Sequence, residues 1–441
     1  MLSFFLIGLA SPSAEAFCGT YVGGADSEFF NEYSQVAIVR KDNQTTLTIV
    51  NDIQGTFDDF ALVIPVPEVL AEDDLHVIDP TVFDRLDQYS QPRLVTYECS
   101  DFDEANSTDS GWVLDSEPSE EDDPAVEIEA QYIVGEYDIV ILSAEESGAL
   151  FTWLNDNGYQ VPGQSIDLLQ EYLDGGSYFL AAKVAASAGI QSGDTLSPLQ
   201  LSYETDVFGL PIRIGTLNSK EEQDLVIYAI NEYSEGRVNI SNYDEFALED
   251  ECMWETQGEE FGAFVGNEFS EAWGAMDGAA WMVEYSWGGG GCDPCTGTPP
   301  NGDDLISLGV DEELIHYSDY YFTRLHARYT AEQVTQDLTL YQSGILDQSQ
   351  IRYIEYKWEM EDRFPVCGMG MVEEPGSCDP QAPELEEEDN PDLSNGDDFD
   401  ADSAQASDAG CGGCNAGGGA LLGMWVLGAG ALLRRRREDG E

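Results

Sequence analysis

Positive charge is scarce in this chain. Its 441 residues carry 17 Lys and Arg against 87 Asp and Glu, a formal net charge of −70, and only four of those bases are lysines. No Lys or Arg stands between Arg93 and Lys183. A field of that sign repels phosphate, so nucleic acid is excluded as a partner, while salty water or divalent cations suit it. Histidine is scarcer still, with only His76, His316 and His326. Neither HExxH nor GxSxG occurs, so the zinc-protease and nucleophile-elbow signatures are missing. Carboxylates are another matter, because a glycosidase-like pair would be hidden among 87 acids.

What is present is globular: 42% hydrophobic and 11% aromatic residues can build a sizeable core. β-Branched runs separated by polar clusters predict strands at "SQVAIVR" (34–40), "TTLTIVN" (45–51) and "DFALVIPVP" (59–67). "YDIVIL" (137–142) leads into a helix with a capping box at Ser143 and Glu146 and a stop at Gly158. "SIDLLQEYLDGG" (165–176) predicts a second helix, and a third lies near 259–278. Further strands are expected at "SYFLAAKVAA", "LQLSYET", "LPIRIG", "DLVIYAI", "AAWMVEYSW", "YYFTRLHARY" and "QIRYIEYKW". The fold class is therefore α+β, a strand-rich body with a few short helices, as one unit or as two halves (17–140 and 141–370). His326 alternates with apolar neighbours and reads as a packed or sheet-surface residue.

Both ends predict export. "LSFFLIGLA" (2–10) has the length of a signal-peptide core, and "AEA" (14–16) offers a signal peptidase small residues before a cut at Phe17, although no base precedes the core. At the far end the uncharged run from Ala416 to Leu433, at ~1.5 Å per residue, reaches roughly 27 Å, enough for a bilayer core. Arg434, Arg435, Arg436 and Arg437 follow it and predict a cytoplasmic end, with the membrane as a partner through this C-terminal helix. The residues 373–409 hold 14 acids, no base and four prolines, the composition of a disordered, self-repelling spacer. A second acidic stretch, 100–124, reads as a surface insertion. No cofactor is expected. "DDFDADSAQ" (397–405) offers acidic spacing for calcium but lacks the turn glycine and distal Glu of an EF-hand, so the solvated spacer is favoured.

Seven cysteines precede the tail: Cys18, Cys99, Cys252, Cys292, Cys295, Cys367 and Cys378. Disulfides are the default for an exported chain. Cys367 and Cys378 are close enough in sequence to close a small loop, and the other connectivity stays open. The pair in "GGGGCDPCTGTPP" invites a thiol-redox reading, but Gly and Pro follow the second cysteine where an activating helix would start, so a structural bridge is favoured.

The tail resembles the myxobacterial C-terminal sorting domain, in which a Gly-Cys pair precedes a short hydrophobic helix and an Arg cluster. Gly410 and Cys411 fit that order best, and Cys414 after Gly413 fits nearly as well. The resemblance implies that a membrane protease cuts near the cysteine and leaves the protein at the cell surface. The body resembles the bacterial family catalogued as domain of unknown function 2330, through "CGTYVGGAD", "FALVIPVP", "FDRLDQYSQPRLV", "WLNDNGYQVP", "PIRIGTLNSKEEQDLVIY", "VEYSWGGGGCDPC" and "FTRLHARYT" in order. That resemblance implies an exported protein and supplies no activity. The reading expected is a surface-anchored structural or interaction protein with an unknown surface ligand. The alternative is an extracytoplasmic enzyme, either a carboxylate hydrolase or a thiol redox protein acting through the CDPC pair.

Overall fold

The computed structural model describes residues 20–378 with breaks at 24–27, 31–33, 57–59, 100–129, 144–146, 158, 160–164, 185–193, 220–221, 256–259 and 296–297. The signal segment, Cys18, the acidic insertion, residues 379–409 of the spacer and the tail with Cys411 and Cys414 lie outside the described residues; residues 373–378, expected to open the disordered spacer, are instead tied to the body by the Cys99–Cys378 bridge and the Gly376 N to Glu361 bond. No helix of the described residues is long and apolar enough to cross a membrane.

Two sheets carry the body. The five-stranded one runs in the order Thr20–Gly23, Phe60–Val66, Tyr178–Val184, Tyr137–Leu142, Ala130–Val134, all antiparallel. The larger, eleven-stranded sheet places Glu222–Glu232 at its centre, between Tyr320–Thr330 and Ser34–Lys41. Ser34–Lys41 pairs with the central strand in parallel and with Gln44–Thr56 as an antiparallel hairpin. Strands from before and after residue 140 therefore interleave in both sheets.

The strand sequences explain this layering. In "FALVIPV" the residues Phe60, Leu62, Ile64 and Val66 join the core that also holds Val36, Ile38, Leu225 and Ile227, so this core lies between the two sheets. Ala61 and Val63 point the other way, where Leu150, Leu154 and Leu169 of the helices Ser147–Asp156 and Ser165–Asp174 cover the smaller sheet. On the outer face of the larger sheet Ala37, Val39, Val226 and Tyr228 meet Val82, Phe83 and Leu86 of helix Thr81–Ser90 and Leu305 of helix Gly302–Ser307. A strand buried on both faces reads as an unbroken apolar run, which is why these segments stand out in the sequence. The result is mixed sheets with short helices, an α+β arrangement.

Three expectations are corrected. "LPIRIG" is not a strand: only Gly209–Leu210 pair, and Ile212–Gly215 make a helical turn, since Pro211 offers no N–H to a ladder and suits a helix start. "QIRYIEYKW" stops pairing at Glu355 and enters a 3-10 turn, Trp358–Met360. The helix expected after Ser143 is described over Ser147–Asp156, and the capping box with Glu146 lies outside the described residues. Cys367 and Cys378 do not bond to each other; Cys252–Cys367 and Cys99–Cys378 are the bridges. The cause is long-range pairing. Arg93–Val95 runs parallel to Arg352–Glu355, which runs parallel to Met253–Trp254. Met253 N donates to Pro365 O and Cys367 N to Met253 O, seating Cys367 beside Cys252.

Candidate functional site

Three bases occupy one face of the strand Tyr320–Thr330, because Arg324, His326 and Arg328 are spaced by two. The register sets Arg328 opposite Asp224, and His326 opposite Val226 and Met282. A β-bulge between Val283 and Tyr285 shifts the phase of the strand Ala280–Gly288, and Glu284 reaches this face. Asp87 arrives from helix Thr81–Ser90.

The network is dense. The Arg324 guanidinium donates through Nε to Glu284 Oε2 and through Nη1 to Asp87 Oδ1 at 2.7 Å and Tyr228 Oη at 3.2 Å. Arg328 grips Asp224 with two bonds of 2.6 Å, the forked geometry that suits guanidinium and carboxylate. His326 Nδ1 lies 2.8 Å from Glu284 Oε1, and Nε2 lies 3.3 Å from Asp224 Oδ1, an ion-pair distance without hydrogen-bond alignment. Helix Phe261–Gly274 closes the group. Its Phe269 stacks on the His326 ring at 4.0 Å between centroids and lies under the Arg328 guanidinium at 4.5 Å, and its Ser270 Oγ accepts from Arg328 Nη1 at 3.0 Å.

Burial alone would lower the His326 pKa, yet the Glu284 charge, with the charge of Asp224 and the hydrogen bond to Glu284, outweighs it and raises the value to about 9. Burial would likewise raise Glu284, but the charges of Arg324 and His326 draw it down to about 2. Asp224 is lowered despite its burial, by Arg328 and His326. At neutral pH three cations therefore face three carboxylates. A histidine already protonated cannot accept a proton from a substrate at that pH, and both buried carboxylates are committed to cations. These residues are built to hold three strands and two helices together.

The second constellation is the CDPC loop. Cys292 and Cys295 are bonded, so all six cysteines of the described residues are paired. Among the described residues no helix starts at either cysteine; the next begins at Gly302. Donors from four segments hold the loop's carbonyls. Tyr89 Oη donates to Gly291 O at 2.7 Å, and Tyr285 Oη donates to the same carbonyl. Gln350 Nε2 and Arg352 Nη1 meet Asp293 O, the latter at 2.9 Å, and Arg93 Nη1 meets Pro294 O at 3.0 Å.

Two clefts lie among the described residues. One of about 170 Å³ has Lys41, Gln44, Thr46, Val310 and Asp311 in its wall, and Lys41 and Asp311 form an exposed ion pair. The other, about 10 Å³, is apolar. Both are smaller than the ~300–1,000 Å³ usual for small-molecule sites. No group of three or more His, Cys, Asp or Glu able to hold a metal ion occurs among the described residues.

The sequence reading placed His326 as packed and missed the carboxylates around it. The available signal was three bases at alternate positions of one strand, in a chain with only thirteen outside the Arg434–Arg437 block.

A family model described as an uncharacterized protein conserved in bacteria, DUF2330, matches residues 12–341. No curated protein matches the chain in sequence. Among solved structures, baculovirus P35 shares 11% identity across 71% of this chain and 97% of its own, with a TM-score of 0.30. A mutated baculovirus P35 after caspase cleavage shares 9% across 69% and 98%, with a TM-score of 0.27. At such scores the likeness carries no argument about fold or function.

Proposed function

The chain belongs to the bacterial DUF2330 family, and we propose that it is an exported, cell-surface-anchored protein with a structural or interaction role. The observation that carries this reading is the complete pairing of the described cysteines, two of whose bridges join segments 115 and 279 residues apart. Such bridges persist in an oxidising compartment and are rare in a reducing one. The charge network supports the structural half of the reading, since the groups best able to move protons are bound to one another under a helix.

On this proposal a signal peptidase removes the first 16 residues, the acidic segment that follows Cys378, residues 379–409, spaces the body from the membrane, and the apolar run with Arg434–Arg437 is the sorting signal. The test is Cys411→Ala, alone and with Cys414→Ala, in cells probed by external protease and by membrane fractionation. The wild-type chain is expected at the surface without its tail, and the variant in the inner membrane with the tail attached. Surface display of a tail-less double variant would overturn the sorting half, and resistance of the wild-type body to external protease in intact cells would overturn display. Turnover of a glycan or peptide by the purified body, abolished by one acidic substitution, would overturn the non-catalytic half.

A further inference from the structure

We infer that the Cys292–Cys295 disulfide is a thiol–disulfide exchange site that takes electrons from a dithiol on another exported protein. Access comes first. Cys295 is exposed, whereas Cys252 and Cys378 are buried and the remaining bridged cysteines are half-buried. An attacking thiolate must reach a sulfur along the S–S axis, so exposure decides which bridge exchanges.

The surroundings then favour the reduced form. Arg93 is only 4% exposed, and among the described residues no carboxylate lies within ion-pairing distance of it. Its donors meet the carbonyls of Pro294 and Tyr89, its Nε is buried without a partner, and its guanidinium lies 5.9 Å from the Tyr285 ring. Every other nearly buried base of the central network has an acid beside it. Among the described residues Arg93 is a buried cation with no carboxylate at ion-pair distance, in a chain of net charge −70, and it donates to Pro294, one of the two residues between the cysteines. A thiolate on half-buried Cys292 would supply the missing negative charge. Nearby guanidinium lowers a thiol pKa and makes the sulfur a better leaving group.

Rigidity is the third element. The carbonyls of Gly291, Asp293 and Pro294 are held by Tyr89, Tyr285, Gln350, Arg352 and Arg93, so the backbone around the sulfurs keeps its place when the bond opens. That scaffold does the orienting that a helix start performs in other CxxC sites.

The step balances as follows. A partner thiolate attacks Cys295 Sγ, the Cys292–Cys295 bond breaks, and its electron pair goes to Cys292 Sγ in the loop whose Pro294 carbonyl Arg93 holds. The partner's second thiol, losing its proton, attacks the partner sulfur of the mixed disulfide, and Cys295 leaves and takes up that proton. The partner is oxidised to a disulfide by two electrons, and the CDPC pair is reduced.

The test uses dithiothreitol as the dithiol on the folded full body, with iodoacetamide trapping and peptide mass spectrometry. Cys292 and Cys295 are expected to become alkylated at a reductant concentration at least tenfold below that which opens the other two bridges. In the reduced protein the Cys292 alkylation midpoint is expected at least one pH unit below the ~8.5 of a free thiol. Arg93→Gln should return it toward 8.5 and Arg93→Lys should keep it low. If Arg93→Gln fails to fold, the wild-type profile decides alone. Midpoints near 8.5 for both sulfurs, or opening of the Cys252–Cys367 or Cys99–Cys378 bridge before the CDPC bridge, would overturn the inference.

Discussion

His326 sits where the balance between burial and charge is decided by two carboxylates, and that balance predicts how stability follows pH. Its folded pKa is about 9, against about 6.5 for an unperturbed histidine. A group whose pKa is raised by folding binds its proton more tightly in the native state, so its stabilisation is full below about pH 6.5 and is lost as pH rises through 9. Each unit is worth ~1.4 kcal/mol, so the loss is about 3 kcal/mol between those limits. Chemical denaturation of the body at pH 6.5, 7.5, 8.5 and 9.5 is expected to show that decline. In His326→Gln the decline should disappear, together with a lower stability at pH 6.5. A wild-type curve flat across this window would mean that the imidazole is neutral in the folded state and that the network carries a net negative charge.

At the level of strands and helices, the sequence made the architecture legible where segments are buried on both faces. "FALVIPV" and "DLVIYAI" could hardly be anything but central strands, because no solvated face interrupts them. Legibility failed where partners are distant in the chain. Nothing local in "LPIRIG" except its proline warns that pairing ends after Leu210, and nothing near Glu284 announces the bulge that turns it toward His326. The cysteines show the same limit. Proximity in sequence suggested Cys367 with Cys378, while the parallel ladder of Arg93–Val95, Arg352–Glu355 and Met253–Trp254 brings Cys99 and Cys252 to them instead. The corrected connectivity has a measurable consequence. In the chain-entropy account a bridge across 115 residues stabilises by about 4–5 kcal/mol, and one across three residues by less than half of that. The double variant Cys252→Ala, Cys367→Ala is therefore expected to lose far more melting temperature than Cys292→Ala, Cys295→Ala in the same buffer. Equal losses would show that the ladder, and not the bridge, fixes this end of the body.

Across the whole molecule the placement of bases matters more than their number. Residues 17–372 hold 69 acids and 13 bases, and among the described residues four of those bases, Arg40, Arg93, Arg324 and Arg328, are buried to 8% exposure or less. The surface is thus poorer in positive charge than the composition suggests, and its acids repel one another across the folded body. Salt acts on this in two opposing ways. It weakens exposed pairs such as Lys41–Asp311, Arg352–Glu251 and Lys357–Glu98, but exposed pairs contribute only ~0–1 kcal/mol each. It also shortens the reach of repulsion from about 30 Å at 0.01 M to about 8 Å at 0.15 M, and that relief is shared by dozens of acids. Unfolding spreads the charges and gains less from screening, so the folded state is the one that salt favours. The melting temperature is expected to rise by several degrees from dilute buffer to seawater-like sodium chloride, most steeply below 0.15 M where the screening length changes fastest. Bound divalent cations would give a different pattern, with little response to sodium chloride and a large drop on adding a chelator. A thermal melt across that salt range, with and without chelator, separates the two, and a melting temperature indifferent to sodium chloride would defeat the account based on diffuse repulsion.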